Sequence, residues 1–498
     1  MRYYSTRNQT ECITAAEAIK RGLSAEGGLF VPAERAAPFV MDNLPAGDYR
    51  KIATTIIKLF LSGYSSAQVE EAVNYAYTPD NFDHPDITPL QKLTEDLYVL
   101  ELWHGPTCAF KDIALQILPQ LLRTAVQITG EKSDLVILTA TSGDTGKSAL
   151  EGFRDVEGIK IIVYFPEKGV SEIQKLQMIT QEGNNVGIAA VRGNFDDTQT
   201  GVKEIFNDRK LAEKLEQAGY RLSSANSINW GRLLPQIVYY FSAYQNLIDR
   251  KKLSAGETIN FVVPTGNFGN ILAGYYARQL GLPVNRLICA SNRNNVLSDF
   301  IKSGVYNSRR SLHRTISPSM DILISSNLER LLFELTGHDS EKVTSWMKQL
   351  QETGEYVVDR ETLRRLKELF WADYADDEET IQVIKDTYHH HKYLIDTHTA
   401  VGKAVLSKYR NREEDNCLNV VLSTASPYKF TGSVVRALFD HNRFKDSSEL
   451  DLLKILSRET GTPVPASLVD LDKKPIKHNQ VISRDSMRDH LLSSLNLT

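Results

Sequence analysis

Apolar residues recur at helical spacing over 13–23 and 50–61, which predicts a mostly helical region across residues 1–95. Between these helices Gly27-Gly28-Leu29-Phe30-Val31-Pro32 predicts a turn and a short extended piece. The breaker-rich His84-Pro85-Asp86-Ile87-Thr88-Pro89 reads as a linker, and 97–102 as a short strand. The period then changes. Apolar runs at 135–140, 160–165, 186–191, 260–263, 286–290 and 419–423 predict buried strands. Helical patterns at 146–153, 171–181, 196–217 and from the glycine loop through Tyr276 alternate with them, with Ser171 placed to cap its helix. That alternation predicts a doubly wound α/β protein with mainly parallel sheets, whose ligands sit beyond the carboxyl ends of the strands. Residues 290–400 read as helical and charged, adding little chemistry.

A lysine stands where one of these helices begins. In Trp103-His104-Gly105-Pro106-Thr107-Cys108-Ala109-Phe110-Lys111-Asp112 a Gly-Pro turn leads to Lys111. Ile113, Ala114, Ile117, Leu118, Leu121, Leu122 and Val126 follow at helical spacing, with Pro119 predicting a kink or boundary. A helix start and apolar walls both depress an amine's pKa, as Schiff-base chemistry requires. A surface lysine just inside a helix would look the same in isolation.

Three polar or glycine-rich loops end apolar strands. Thr141-Ser142-Gly143-Asp144-Thr145-Gly146-Lys147-Ser148 offers hydroxyls and backbone N–H groups to a carboxylate or phosphate. It is nearly G-x-x-x-x-G-K-[ST], but that motif needs glycine where Thr141 stands, and Asp144 would put negative charge in a phosphate nest. An ordinary turn capped by Ser142 or Asp144 also accounts for it. Gly266-Asn267-Phe268-Gly269-Asn270 lets backbone approach an anion at a helix start. It is not G-x-G-x-x-G and no acidic residue on a following strand suits a ribose, so a monophosphate fits better than a dinucleotide. Ser423-Thr424-Ala425-Ser426-Pro427 ends the late strand, where turn capping is the local alternative. Lysine, monophosphate cup, carboxylate loop and hydroxyl partner together meet the needs of a pyridoxal-phosphate enzyme.

Composition narrows the class. The chain has 498 residues, 24% charged, and a formal net charge of −4, which gives no footprint for nucleic acid or a membrane surface. Cys12, Cys108, Cys289 and Cys417 are far apart, with neither a disulfide framework nor a zinc pattern. His389-His390-His391 would point in different directions on a helix, so a solvated face is expected and no metal site. No apolar signal core opens the chain and no apolar run reaches membrane length, so a cytoplasmic protein is expected.

The motifs then resemble a family. His104-Gly105-Pro106-Thr107 with Ala109-Phe110-Lys111-Asp112, the Thr141 loop, and Pro264-Thr265 with the glycine loop are similar to those of threonine synthases. Tyr4-Ser5-Thr6-Arg7, Gly27-Gly28-Leu29-Phe30, Gly193-Asn194-Phe195-Asp196-Asp197 and Asn226-Ser227-Ile228-Asn229-Trp230-Gly231-Arg232 extend the likeness over nearly the whole chain. The resemblance implies two mainly parallel sheet domains of the tryptophan-synthase-β-like type with a helical N-terminal region. It divides the chain into an N-terminal domain (1–95), a region with the lysine motif and a mobile small domain (96–255), and a cofactor-phosphate region with a helical insert (256–498). It implies pyridoxal 5'-phosphate on Lys111 and conversion of O-phospho-L-homoserine and water to L-threonine and phosphate by γ-elimination and β-replacement. Residues 266–270 (Gly266, Asn267, Phe268, Gly269, Asn270) would bind the cofactor phosphate, Thr424 or Ser423 would face the ring nitrogen, and Asp144 would lie near the ring hydroxyl. Thr141, Ser142 and Thr145 would take the substrate carboxylate. Lys168, Ser171, Asn226 and Arg232 are candidates for its phosphate. Ser426 and Tyr428 stand where the family often has histidine and alanine, and Cys108 replaces a usually aliphatic residue. A monomer or homodimer is expected.

Overall fold

The computed structural model describes residues 1–498 except 42, 43, 142, 169, 440–443, 445 and 498. Two sheets form the frame. The larger runs Phe370–Tyr374, Val284–Ser291, Ile259–Pro264, Leu418–Ser423, Leu97–Glu101, Leu90–Lys92. All neighbours are parallel except the last pair. The smaller runs Val481–Ile482, Val186–Val191, Ile159–Pro166, Asp134–Ala140, Tyr220–Ser223, all parallel. A parallel sheet covered on both faces buries both sets of alternating side chains. Every residue of Ile259–Pro264 is accordingly buried.

Helix Trp230–Asp249 runs through the core, with Trp230 packed at 5.5 Å from Tyr3 and 5.6 Å from Phe60. It is buried on nearly all sides, polar residues such as Arg232, Gln236 and Gln245 included, so a simple exposed-polar stripe does not mark it. The lysine helix breaks as expected, into Lys111–Leu115 and Leu118–Thr129, with Pro119 in the first turn of the second. Ser171 caps Glu172–Ile179 by accepting from Gln174 N–H.

Three expectations are corrected. Residues 196–217 form two helices, Phe195–Asn207 and Arg209–Gln217. Asp208 leaves helical geometry between them, and its carboxylate accepts from Leu211 N–H at 3.0 Å. The apolar spacing carries across the break, so only the capping aspartate marks it. Residues 1–95 hold helices Ala15–Arg21, Tyr49–Phe60 and Ser66–Ala76, but also a sheet in which Arg2–Ser5 pairs antiparallel with Ile13–Thr14 and Phe30–Pro32. Residues 290–400 extend the large sheet through Phe370–Tyr374 and form the antiparallel pair Val305–Asn307 and Glu355–Val357. A loop within them, 317–327, also reaches the site described next.

Candidate active site

Three adjacent parallel strands bring their loops together. Ile259–Pro264, Leu418–Ser423 and Leu97–Glu101 are neighbours in the large sheet, so the glycine loop, the Thr424 loop and the lysine loop leave its carboxyl edge side by side. Two of these loops are tied to each other. Phe110 N–H donates to the Thr424 carbonyl at 2.9 Å, and Ser426 N–H to the Cys108 carbonyl at 3.0 Å. Cys108 adopts φ 58° in this tight path. Lys111 therefore emerges beside Thr424, itself buried. Asp112 fastens the turn from below, accepting from Thr107 N–H at 2.8 Å and the Thr107 hydroxyl at 2.7 Å.

The small sheet supplies the opposite wall. The loop after Asp134–Ala140 presents Asp144, whose Oδ2 is 4.0 Å from Lys111 Nζ. Burial, with Lys429 and Arg232 nearby, lowers the Lys111 amine from its ordinary 10.5 to about 8, against the pull of Asp144 and Asp112. This is the depressed amine that the lysine motif predicts. Burial works against the Asp144 charge, but Lys429 and Lys111 outweigh it and hold the carboxyl well below its usual range. Lys429 Nζ stands 2.7 Å from Asp144 Oδ1, Gln174 Nε2 donates to the same oxygen at 2.8 Å, and the Ser319 hydroxyl reaches Oδ2 at 3.3 Å.

The glycine loop has the form of an anion cup. Phe268 takes φ 63° immediately before helix Gly269–Gln279, turning the first-turn amides of that helix outward. Asn270 Oδ1 accepts from the Tyr239 and Tyr240 hydroxyls at 2.6 and 3.1 Å, which leaves its buried Nδ2 without a partner among the described residues. A buried unpaired donor beside free helix amides suits a phosphoryl group. Ser325 Oγ donates to the Gly266 carbonyl at 2.7 Å and Asn327 N–H to the Asn267 carbonyl at 3.1 Å. The 317–327 loop thus braces the cup. Pyridoxal phosphate fits this donor set: an amine able to be neutral, a one-phosphate cup and a hydroxyl-bearing loop between them.

The other expected residues fall at different depths. The Thr141 hydroxyl accepts from Gly143 and Gly146 N–H at 3.0 and 2.9 Å, shaping its own loop, and Thr145 is half-buried. Ser142 lies outside the described residues. Lys147 Nζ pairs with Glu151 at 2.8 Å on its own helix, unlike a phosphate-binding lysine. Arg232 is buried, donating to the Ala225 carbonyl at 2.6 Å with Nε unpartnered among the described residues, and burial lowers it to about 10. Asn226 is half-buried, Lys168 is exposed, and the Ser171 hydroxyl is engaged in capping. The three histidines 389–391 are exposed on the last turn of Asp377–His391. Sequence reading missed Lys429, Gln174 and Ser319. Only Lys429 carried a signal, a lysine two residues past Pro427 in a loop ending a buried strand.

Fold and site together define a pyridoxal-phosphate-dependent enzyme, and a family model described as "Pyridoxal-phosphate dependent enzyme" matches residues 82–423. Models of the threonine synthase N terminus and C-terminal region match 2–77 and 399–489. The chain belongs to the threonine synthase family. It is 39% identical over 441 residues to threonine synthase of Pseudomonas aeruginosa, covering 88% of this chain and 90% of that one. It is 37% identical over 479 residues to threonine synthase-like 1 of Macaca fascicularis, covering 93% of this chain but spanning 63% of that longer relative. The solved structure of PLP-bound threonine synthase from Brucella melitensis superposes with a TM-score of 0.86 at 35% identity, over 98% of this chain and 99% of that one.

Proposed function

We propose that this protein is a threonine synthase that converts O-phospho-L-homoserine and water to L-threonine and phosphate, acting in the cytoplasm as a monomer or homodimer. The observation that carries the reading is the half-buried Lys111 amine, lowered to about 8 and facing Asp144 at the carboxyl edge of the large sheet. Bound pyridoxal phosphate supplies an aldehyde and an electron-withdrawing ring that acidifies the neighbouring substrate carbons. The chain does the rest. Residues 266–270 would hold the cofactor phosphate, Thr424 would offer a neutral hydroxyl to the ring nitrogen, and Asp144 would lie near the ring hydroxyl. The Lys111 amine, where neutral, would take the proton from the substrate Cα and return protons further along the chain. The loop bearing Thr141, Ser142 and Thr145 receives the substrate carboxylate. Arg232, with a buried N–H unpartnered among the described residues, would meet the substrate phosphate, joined by Lys168, Ser171 and Asn226.

The test is release of threonine and inorganic phosphate in equal amounts from phosphohomoserine. Lys111→Ala should lower the rate by about a thousandfold or more, since it removes both the nucleophile and the base. Ammonia release from serine or threonine without threonine formation from phosphohomoserine would overturn the reading.

A further inference from the structure

Lys429 has no part in the roles above. It sits in the short turn Pro427–Phe430 after Leu418–Ser423, and its side chain is wholly buried. Its Nζ donates to the Thr107 carbonyl at 2.8 Å and stands 2.7 Å from Asp144 Oδ1. A buried ammonium needs a partner of opposite charge, and placing one beside a second, half-buried lysine makes the demand sharper. Asp144 is that partner, and it is shared. Its Oδ2 faces Lys111 Nζ at the longer distance of 4.0 Å. The shorter, hydrogen-bonded contact belongs to Lys429.

We propose that Lys429 is a positioning residue that takes up the Asp144 charge and so leaves the Lys111 amine free to act as nucleophile and base. This deepens the threonine synthase reading and rests on Lys111 being the cofactor lysine. An unshared carboxylate 4.0 Å away would favour the protonated amine, which cannot attack an aldehyde. A carboxylate already bonded to Lys429 presents a nearly neutral pair instead. The charged groups facing Lys111 are Asp144 at the start of Asp144–Phe153, Lys429, Arg232 in Trp230–Asp249, and Asp112 on its own helix. Asp112 is engaged by Thr107 and Arg232 by the Ala225 carbonyl. Removing Lys429 therefore leaves Asp144 with Lys111 as its nearest cation.

Competitive labelling of the full-length, cofactor-stripped protein with acetic anhydride, read at Lys111 by mass spectrometry over a pH series, gives the midpoint at which this amine becomes reactive. In Lys429→Met the midpoint should rise by about one pH unit or more, a tenfold loss of reactive amine on the acid side. In Lys429→Met with Asp144→Asn, which removes both members of the pair, it should return to the wild-type value. An unchanged midpoint in Lys429→Met overturns the proposal. So does a fall of more than about one unit in the double variant, because Lys111 would then have felt Asp144 throughout. If Lys429→Met does not fold, the double variant decides alone. Labelling needs no turnover, so a negative phosphohomoserine assay would leave this result readable.

Discussion

At Gly266 a single added atom decides whether the cup can close. A Cβ there would stand 2.8 Å from the Ser319 carbonyl oxygen, a backbone atom that cannot swing aside. Gly266→Ala should displace the loop and weaken pyridoxal-phosphate binding by about tenfold or more, roughly 1.4 kcal/mol, with little change in melting temperature. Fluorescence titration of the full-length protein checks this, and unaltered affinity would mean the phosphate sits elsewhere. Lys111 makes a second residue-scale prediction. Burial lowers its amine to about 8, and only the neutral form attacks an aldehyde. Cofactor capture should quicken about tenfold per pH unit below that value and level off above it. Stopped-flow absorbance reads the rate; acceleration continuing to the ordinary lysine range would show an unperturbed amine.

The lysine loop leaves Leu97–Glu101 through a charged clasp that belongs to the scale of the element. His104 lies 2.6 Å from Asp83 and 2.9 Å from Glu101, with its ring stacked on Trp103 at 4.3 Å. Burial opposes a charged imidazole, but the two carboxylates prevail and raise it from 6.5 to about 9. A raised folded value gives stability that is complete below the unfolded value and drains away as pH climbs through the folded one. The window therefore runs from about 6.5 to about 9. Asp83 is 55% exposed, which trims the contribution to about 2 kcal/mol. The wild-type melting temperature should fall across that window, while that of His104→Gln starts lower and stays flat through it. Parallel slopes in thermal scans of the two proteins would remove His104 from the account. The same elements show what a sequence can carry. Buried parallel strands are written as unbroken apolar runs, and Lys111 and residues 266–270 stand at their ends, where lysine, proline and glycine are conspicuous. Gln174 and Ser319 are not legible, because they meet Asp144 across 30 and 175 positions of chain, Gln174 from the neighbouring helix Glu172–Ile179 and Ser319 from the 317–327 loop. The break at Asp208 is hidden because apolar spacing survives it.

At the scale of the whole molecule, the N-terminal segment is part of the enzyme's core and not an appendage to it. The Tyr3 hydroxyl donates to the Phe60 carbonyl at 2.8 Å, and both rings pack on Trp230. Arg330, fully buried, donates from Nε to the Phe30 carbonyl at 3.0 Å. Arg7 grips Glu329 with two bonds, at 2.9 and 2.7 Å. Glu329 and Arg330 follow closely on the loop that braces the glycine loop, so the segment also steadies residues 266–270. Removing residues 1–77 would strip Trp230 of Tyr3 and Phe60, bare the part of Trp230–Asp249 that packs on Tyr49–Phe60, and take from Glu329 and Arg330 their Arg7 and Phe30 partners. Glu329 is buried, so losing Arg7 leaves its carboxylate short of a charged partner, a cost that adds to the lost apolar packing against the roughly 5–15 kcal/mol that holds a typical domain together. A chain of residues 78–498 should therefore show no cooperative melt by circular dichroism and no capture of pyridoxal phosphate. Recovery of both in that chain would show that the large sheet and its helices form a self-sufficient core, and that the N-terminal layer is held to them only by its surface.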